Sequence, residues 1–387
     1  MTFSPISLDL SGERFQVTYL ISGDKTEARE SAKALCLEQT VELSDSMVPD
    51  GDLRDAIVGQ IENSWQIEVD LFEFDISYAV ELTNFELPNL ISVIFGNTSM
   101  KRGVRVQGAE FSESLVKHFS GPRFGTRGIR ERLGVPRRPL LGTALKPVGY
   151  STQLLAASAY EYALGGIDII KDDHGICNQK FSTFKDRARQ CAAAVNRANE
   201  KTGGSSIYVP NISGPVDQVL ERALFAKEVG AGGVELFSGI VGFDFLRMLA
   251  EDDRLDLPIF HHPALLGTYF INPREGLSLE FLFGQLIRLA GADAAIFTGH
   301  GGRFPTTRED CQRLARNAAK DMGGCIKPIL LMPGGGMTID RVEDMLDVYG
   351  NDVVMLVSGG LYSLGPDLVT NCYIFREKVD QYSELWE

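Results

Sequence analysis

The chain has 387 residues, 44% of them hydrophobic and 23% charged, enough for two or three domains or for one large barrel with an extension. A formal net charge of -14 argues against nucleic acid and an anionic membrane surface as principal partners, but not against an anionic small molecule in a local positive pocket. Six cysteines, Cys36, Cys177, Cys191, Cys311, Cys325 and Cys372, include no C-x-x-C pair, which argues against a zinc knuckle or disulfide framework and suits a reducing cytoplasm. The first residues lack the basic and apolar parts of a signal peptide. No apolar run approaches the roughly 20 residues of a membrane span. The expected location is therefore cytoplasmic.

In chain order, residues 14–21 alternate as a strand, with Phe15, Val17, Tyr19 and Ile21 on one face. Residues 26–37 have helical spacing, 64–78 read as strands, 87–95 as a helix and 104–107 as a short strand. Mixed short elements without strict alternation predict a small α+β domain over 1–125. A basic linker over 127–138 follows. From there apolar runs at 139–145, 167–173, 207–212, 233–237, 258–262, 294–298, 328–332 and 353–357 each precede an amphipathic stretch. These lie at about 151–164, 182–200, 215–229, 242–250, 278–290, 306–321, 338–349 and 366–381. Eight such units predict an α/β fold, with a C-terminal (β/α)8 TIM barrel over 126–387. An open doubly wound sheet is the rival.

The functional residues are expected at the C-terminal ends of the barrel strands. The second strand ends Lys171-Asp172-Asp173-His174, a dense charged cluster after an apolar run. Buried charge needs a partner. Strand alternation puts Lys171 and Asp173 on one face and Asp172 on the other. Asp173 with further oxygen donors suits a hard cation such as Mg2+. A lysine can join such a site only after carbamylation. The bland alternative is a Lys171–Asp173 ion pair without metal. The first strand ends at Lys146-Pro147, the third at Asn211, and the fifth at His261-His262, of which at most one can face the mouth. Gly335-Gly336 and Ser358-Gly359-Gly360 follow the last two strands, where backbone N–H groups and helix N-termini can cradle a phosphate. Arg303, in the glycine-rich loop after the sixth strand, is either a phosphate clamp or a solvated side chain.

Thr143-x-x-Lys146-Pro147-x-Gly149, Gly165-Gly166-Ile167-Asp168-x-x-Lys171-Asp172-Asp173, Gln179-x-Phe181 and Asp186-Arg187 resemble the ribulose-bisphosphate carboxylase large-chain superfamily. The resemblance spans nearly the whole chain. It implies a carbamylated Lys171 binding Mg2+ with Asp173 and the next residue, normally glutamate but here His174. It also implies that Lys146 performs acid–base chemistry on an enediolate. It further implies a homodimer with shared active sites, into which Glu38 and Asn97 reach from the partner subunit.

The departures are as informative. The family's second lysine is Val148, the arginine after the fifth-strand histidine is lost beside Pro263, and the sixth-strand histidine appears as Phe297. The mobile loop lysine becomes Arg303 or Phe304. CO2 fixation on a bisphosphate is therefore not expected. The chain looks like a RuBisCO-like protein of form IV acting on a singly phosphorylated keto sugar. Decarboxylation of a β-keto sugar-acid phosphate, of the 3-oxo-isoapionate 4-phosphate type, is the expected reaction. The alternatives are a methionine-salvage diketo-methylthiopentyl-phosphate enolase, a methylthioribulose-phosphate isomerase, a Schiff-base aldolase using Lys171 or Lys146, and a non-catalytic regulatory protein.

Overall fold

The computed structural model describes residues 7–383. They fall into two compact units. The first comprises the residues up to Phe119 together with Leu266–Leu289 and Asp321–Ile326. The second holds Ser120–Leu265, Ala290–Lys320 and the residues from Lys327 onward. The first division falls after Phe119, where the sequence reading put the boundary at 125. The two later segments are the difference: the amphipathic stretch expected over 278–290 as a barrel helix groups with the N-terminal residues instead.

In the first unit, β1 (Arg14–Ser22), β2 (Gln60–Glu68), β3 (Leu71–Ala79), β4 (Val104–Glu110) and the two-residue β10 (Gly276–Leu277) form a sheet in the order β10-β4-β1-β3-β2. Strand β1 buries every second residue, as its alternation predicts. The helix Lys25–Glu38 starts in a capping box between Asp24 and Glu27 and buries Ala28, Ala32, Leu35 and Cys36. A π-helical segment, Glu280–Leu286, is tied to β4 through Gln285, whose side chain accepts from the Ala109 N–H and donates to its carbonyl.

The second unit contains eight parallel strands: β5 (Leu140–Leu145), β6 (Ile169–Asp172), β7 (Ile207–Val209), β8 (Val234–Leu236), β9 (Ile259–His261), β11 (Ala294–Thr298), β12 (Leu330–Gly334) and β13 (Val354–Leu356). They pair in two runs, β13-β5-β6-β7 and β8-β9-β11-β12. Single parallel bridges, Asn211↔Glu235 and Leu331↔Val353, join the runs at both seams. The ring is thereby closed, and the open-sheet alternative is excluded.

The basic stretch read as a linker is in large part a helix, Gly125–Leu133. Its Ile129 and Leu133 join Leu140, Ile169, Ile207, Phe260, Ala294, Leu330 and Val354 in one buried cluster at the starts of the strands. The arginines obscured this apolar face. Arg130 is buried, and its guanidinium donates to the carbonyls of Val135, Arg138 and Asn351 and to Asp352. With one end of the barrel filled this way, the other end is left for the site. Among the described residues no helix is long and apolar enough to cross a membrane.

Candidate active site

Strand β6 positions the central charges. Its register places Lys171 opposite Ala144 of β5 and Val209 of β7, with the side chain inside the ring. Asp172 points the opposite way, as alternation requires. It is fully buried and accepts from Arg187 (3.0 Å), the Tyr208 hydroxyl (2.7 Å) and the Asn211 N–H (3.0 Å). Asp172 and Arg187 are therefore the structural half of the motif: they lock the end of β6 to the following helix, Phe184–Thr202. A buried pair without such extra donors would not recover its desolvation cost.

Lys171 is 2% exposed. Its Nζ lies 2.7 Å from Oε1 of Glu235 and donates to the Asp172 carbonyl at 2.5 Å. The partner of this lysine is thus Glu235 of β8, not Asp173. Burial pushes the Glu235 carboxyl up to about 7, against the opposing pull of Lys171. Asp173 is partly exposed and faces Lys146, with Oδ2 3.6 Å from Nζ. His174 stands on its other side, with Nδ1 3.5 Å from Asp173 Oδ1, and is 64% exposed. The chain thus sets Lys146, Asp173 and His174 at the open end, above a sealed Lys171–Glu235 pair.

The two histidines at the end of β9 have different surroundings. His261 is fully buried, with Nδ1 2.8 Å from the Ser238 hydroxyl. Burial lowers its pKa to about 3. His262 lies beside His174, ring centroids 5.9 Å apart and nearly parallel, and against Phe237 at 4.7 Å. Burial and then the Lys171 charge push its pKa down to about 2, so the ring is neutral. The Ala264 N–H donates to its Nδ1, which leaves the ring proton on Nε2. Asn211 is turned into the wall. Its side chain donates to the Ile176 carbonyl and accepts from the Ser213 N–H, a positioning role rather than a surface for substrate.

The opposite side of the mouth is built from glycine. Gly335 and Gly336 have φ of 95° and 119°, conformations that L side chains rarely adopt. A Cβ on Gly302 would sit 1.7 Å from the Gly335 carbonyl oxygen, and one on Gly360 would sit 2.5 Å from that of Met337. The loops after β11, β12 and β13 therefore touch backbone to backbone. Arg341, which the sequence reading passed over, ties the first two together by donating to the carbonyls of His300 (2.6 Å) and Gly336 (3.4 Å). His300 is itself held by Asp344 at 2.7 Å. Arg303 is exposed, with its guanidinium over the Phe304 ring at 5.1 Å. The helix expected to aim its N-terminus at a phosphate after β13 is only the four-residue turn Gly359–Tyr362 beginning beyond Ser358, so backbone N–H groups rather than a long dipole are what this loop offers. In the first unit, Asn97 donates to Glu38 at 3.0 Å, so these two residues do form one exposed polar pair.

Among the described residues no three His, Cys, Asp or Glu side chains converge closely enough to hold a metal. Two carboxylates are nevertheless in place, and Oε2 of Glu235 is buried with no hydrogen-bond partner. A carbamate on Lys171 would add the missing oxygen donors, and hard oxygen donors are what a magnesium ion prefers. The donor chemistry fits once that lysine is converted.

A closed parallel barrel with a lysine–carboxylate cluster on one side of its mouth and glycine loops on the other defines the class: a barrel enzyme. The family model for the ribulose bisphosphate carboxylase large chain, catalytic domain, matches residues 125–365. Ribulose bisphosphate carboxylase-like protein 1 of Rhodopseudomonas palustris is 37% identical over 97% of this chain and 100% of its own length. The 5-methylthioribulose-1-phosphate isomerase of Rhodospirillum rubrum is 34% identical over 90% and 91%. A crystal structure of a Rubisco-like protein from Rhodopseudomonas palustris superposes with a TM-score of 0.86 at 33% identity, covering 95% of this chain and 98% of that one. The chain belongs to the ribulose bisphosphate carboxylase large-chain family, on the side of its RuBisCO-like members.

Proposed function

We propose that the chain binds a singly phosphorylated keto sugar, or keto sugar acid, at the C-terminal mouth of the barrel and moves a proton beside the substrate carbonyl. The observation that carries this is the meeting of Lys146 with Asp173, 3.6 Å apart, two residues along the chain from the lysine of the buried Lys171–Glu235 pair. Lys171 as its carbamate, Asp173 and His174 would hold Mg2+, as family membership implies. The cation, when bound, supplies the positive charge that an enediolate needs.

The chain's own residues do the rest. Asp173 holds the Lys146 ammonium at the mouth, where Nζ can deliver or collect a proton at the substrate carbon or oxygen. His262, kept neutral and with its proton on Nε2, can donate a hydrogen bond without adding charge. Backbone N–H groups of Gly335, Gly336, Gly359 and Gly360, with the Ser358 hydroxyl and Arg303, suit a phosphate. Glu38 and Asn97, which form an exposed polar pair, are the residues that would reach a neighbouring site in a homodimer, as family membership implies.

Two outcomes follow from one electron-rich intermediate. Proton removal and return gives an isomerase, the activity that the name of the Rhodospirillum relative states, or an enolase. Loss of CO2 from a β-keto acid reaches the same species with one base fewer. Val148, 48% exposed where the family carries a second lysine, favours that second reading. The test is a screen of phosphorylated keto sugars and keto sugar acids with Mg2+ and bicarbonate present, following solvent deuterium exchange and CO2 release separately. Exchange without CO2 release selects the isomerase or enolase, and CO2 release selects the decarboxylase. Neither signal from any substrate would remove the proposal.

A further inference from the structure

One buried acid takes no part in the proton transfer above and is not among the residues named there as holding the cation. Glu235 lies on β8, two strands from Lys171 around the ring, and is inaccessible to solvent. One of its oxygens lies against the Lys171 ammonium. The other is buried with no hydrogen-bond partner, although buried polar atoms are satisfied in nearly all native structures. An open carboxylate oxygen inside a barrel, next to a lysine, is the mark of a group whose full set of partners is still to arrive.

Charge counting indicates what arrives. As an ammonium, Lys171 neutralises Glu235. Carbamylation first passes one proton from that ammonium to water. The freed nitrogen lone pair forms the bond to the carbon of CO2, one C=O pair moves onto oxygen, and a second proton then leaves the nitrogen for water. The group passes from +1 to −1. Glu235 then faces an anion at the distance where it had a cation, and Asp173 adds a third negative charge at the same strand end. Like charges that close in a buried place repel one another strongly unless a cation joins them. His174 brings no negative charge and stands mostly in solvent.

We propose that Glu235 is the third carboxylate of the divalent-cation site, released from Lys171 by carbamylation of that lysine and then ligating the cation together with the carbamate and Asp173. This rests on the metal-assisted reading of the function, and the two can be separated. The experiment measures Mn2+ binding by electron paramagnetic resonance and calorimetry, with and without bicarbonate, in the wild type, Asp173→Asn, Glu235→Gln and Glu235→Asp. Carbon-13 NMR with labelled bicarbonate follows the carbamate in the same samples.

The wild type is expected to bind Mn2+ tightly only when the carbamate signal is present. Glu235→Gln should weaken binding at least about tenfold, within the range that perturbing a metal site's supporting groups produces. Glu235→Asp, which keeps a charge opposite Lys171 and so protects folding, should fall between. Should Glu235→Gln fail to fold, Glu235→Asp decides alone. Wild-type Mn2+ affinity in the Glu235 variants, with binding lost in Asp173→Asn, overturns the proposal and leaves the metal reading standing. A wild type that binds no Mn2+ in bicarbonate overturns both.

Discussion

The two sides of the barrel mouth solve different physical problems. At the ends of β5, β6 and β8 the chain places Lys146, Lys171, Asp173 and Glu235 in a graded series, from a half-exposed lysine to a sealed ion pair. At the ends of β11, β12 and β13 it removes side chains altogether, so that Gly302 approaches Gly335 and Gly360 approaches Met337 closer than any Cβ would permit. The charged side depends on electrostatic balance, since each ion there is stable only beside its counter-ion. The glycine side depends on shape, since its contacts are backbone atoms that carry no net charge. A substrate with a chelating carbonyl at one end and a phosphate at the other matches that division.

The comparison can be broken at either side. The largest effect is expected from Lys171→Met, which leaves Glu235 buried without its counter-ion. Stability should fall by about 3–5 kcal/mol, read from the urea midpoint, and activity should vanish. The double variant Lys171→Met/Glu235→Gln should recover most of the stability and none of the activity. Wild-type stability in the single variant would show that Lys171 contributes nothing to holding Glu235 in the fold.

Asp173→Asn comes next. Turnover should drop roughly a thousandfold or more if the cation supplies the main electrostatic stabilisation, while the melting temperature changes little, because Asp173 is partly exposed and makes only long contacts. Lys146→Met should lower kcat by about 100- to 10,000-fold, the usual range for a positioned acid–base group, and leave Mn2+ binding as in the wild type. Retained kcat would move the acid–base role elsewhere.

The smallest effect is expected on the glycine side. Gly360→Ala forces the Met337 carbonyl to shift, so KM for a phosphorylated substrate should rise about tenfold, the equivalent of 1.4 kcal/mol. Its kcat should change far less, and metal binding not at all. A fall in kcat with unchanged KM would place the phosphate elsewhere and erase the contrast between the two sides.

Much of this molecule was legible without coordinates because its signals are local. Eight short apolar runs, each followed by an amphipathic stretch, appear as the eight barrel strands, and alternation within β6 correctly sent Lys171 and Asp172 to opposite faces. The helix Gly125–Leu133 was hidden because its arginines cover a two-residue apolar face, Ile129 and Leu133, that only the barrel floor makes visible. The segment Glu280–Leu286 carried the right periodicity for a barrel helix yet belongs to the other unit, since periodicity says that a face is buried and not against what.

Glu235 was visible as an acid in an apolar strand, but nothing along the chain pairs it with Lys171, 64 positions earlier. The sequence by itself determined the strand count, the charged strand end, the glycine loops and the family, because these rest on periods and motifs shorter than one βα unit. Only the tertiary structure decided which acid neutralises Lys171, that His262 rather than His261 stands beside His174, and that Arg341 ties two loops together. Those facts depend on closure of the ring, which brings distant strand ends within hydrogen-bonding distance.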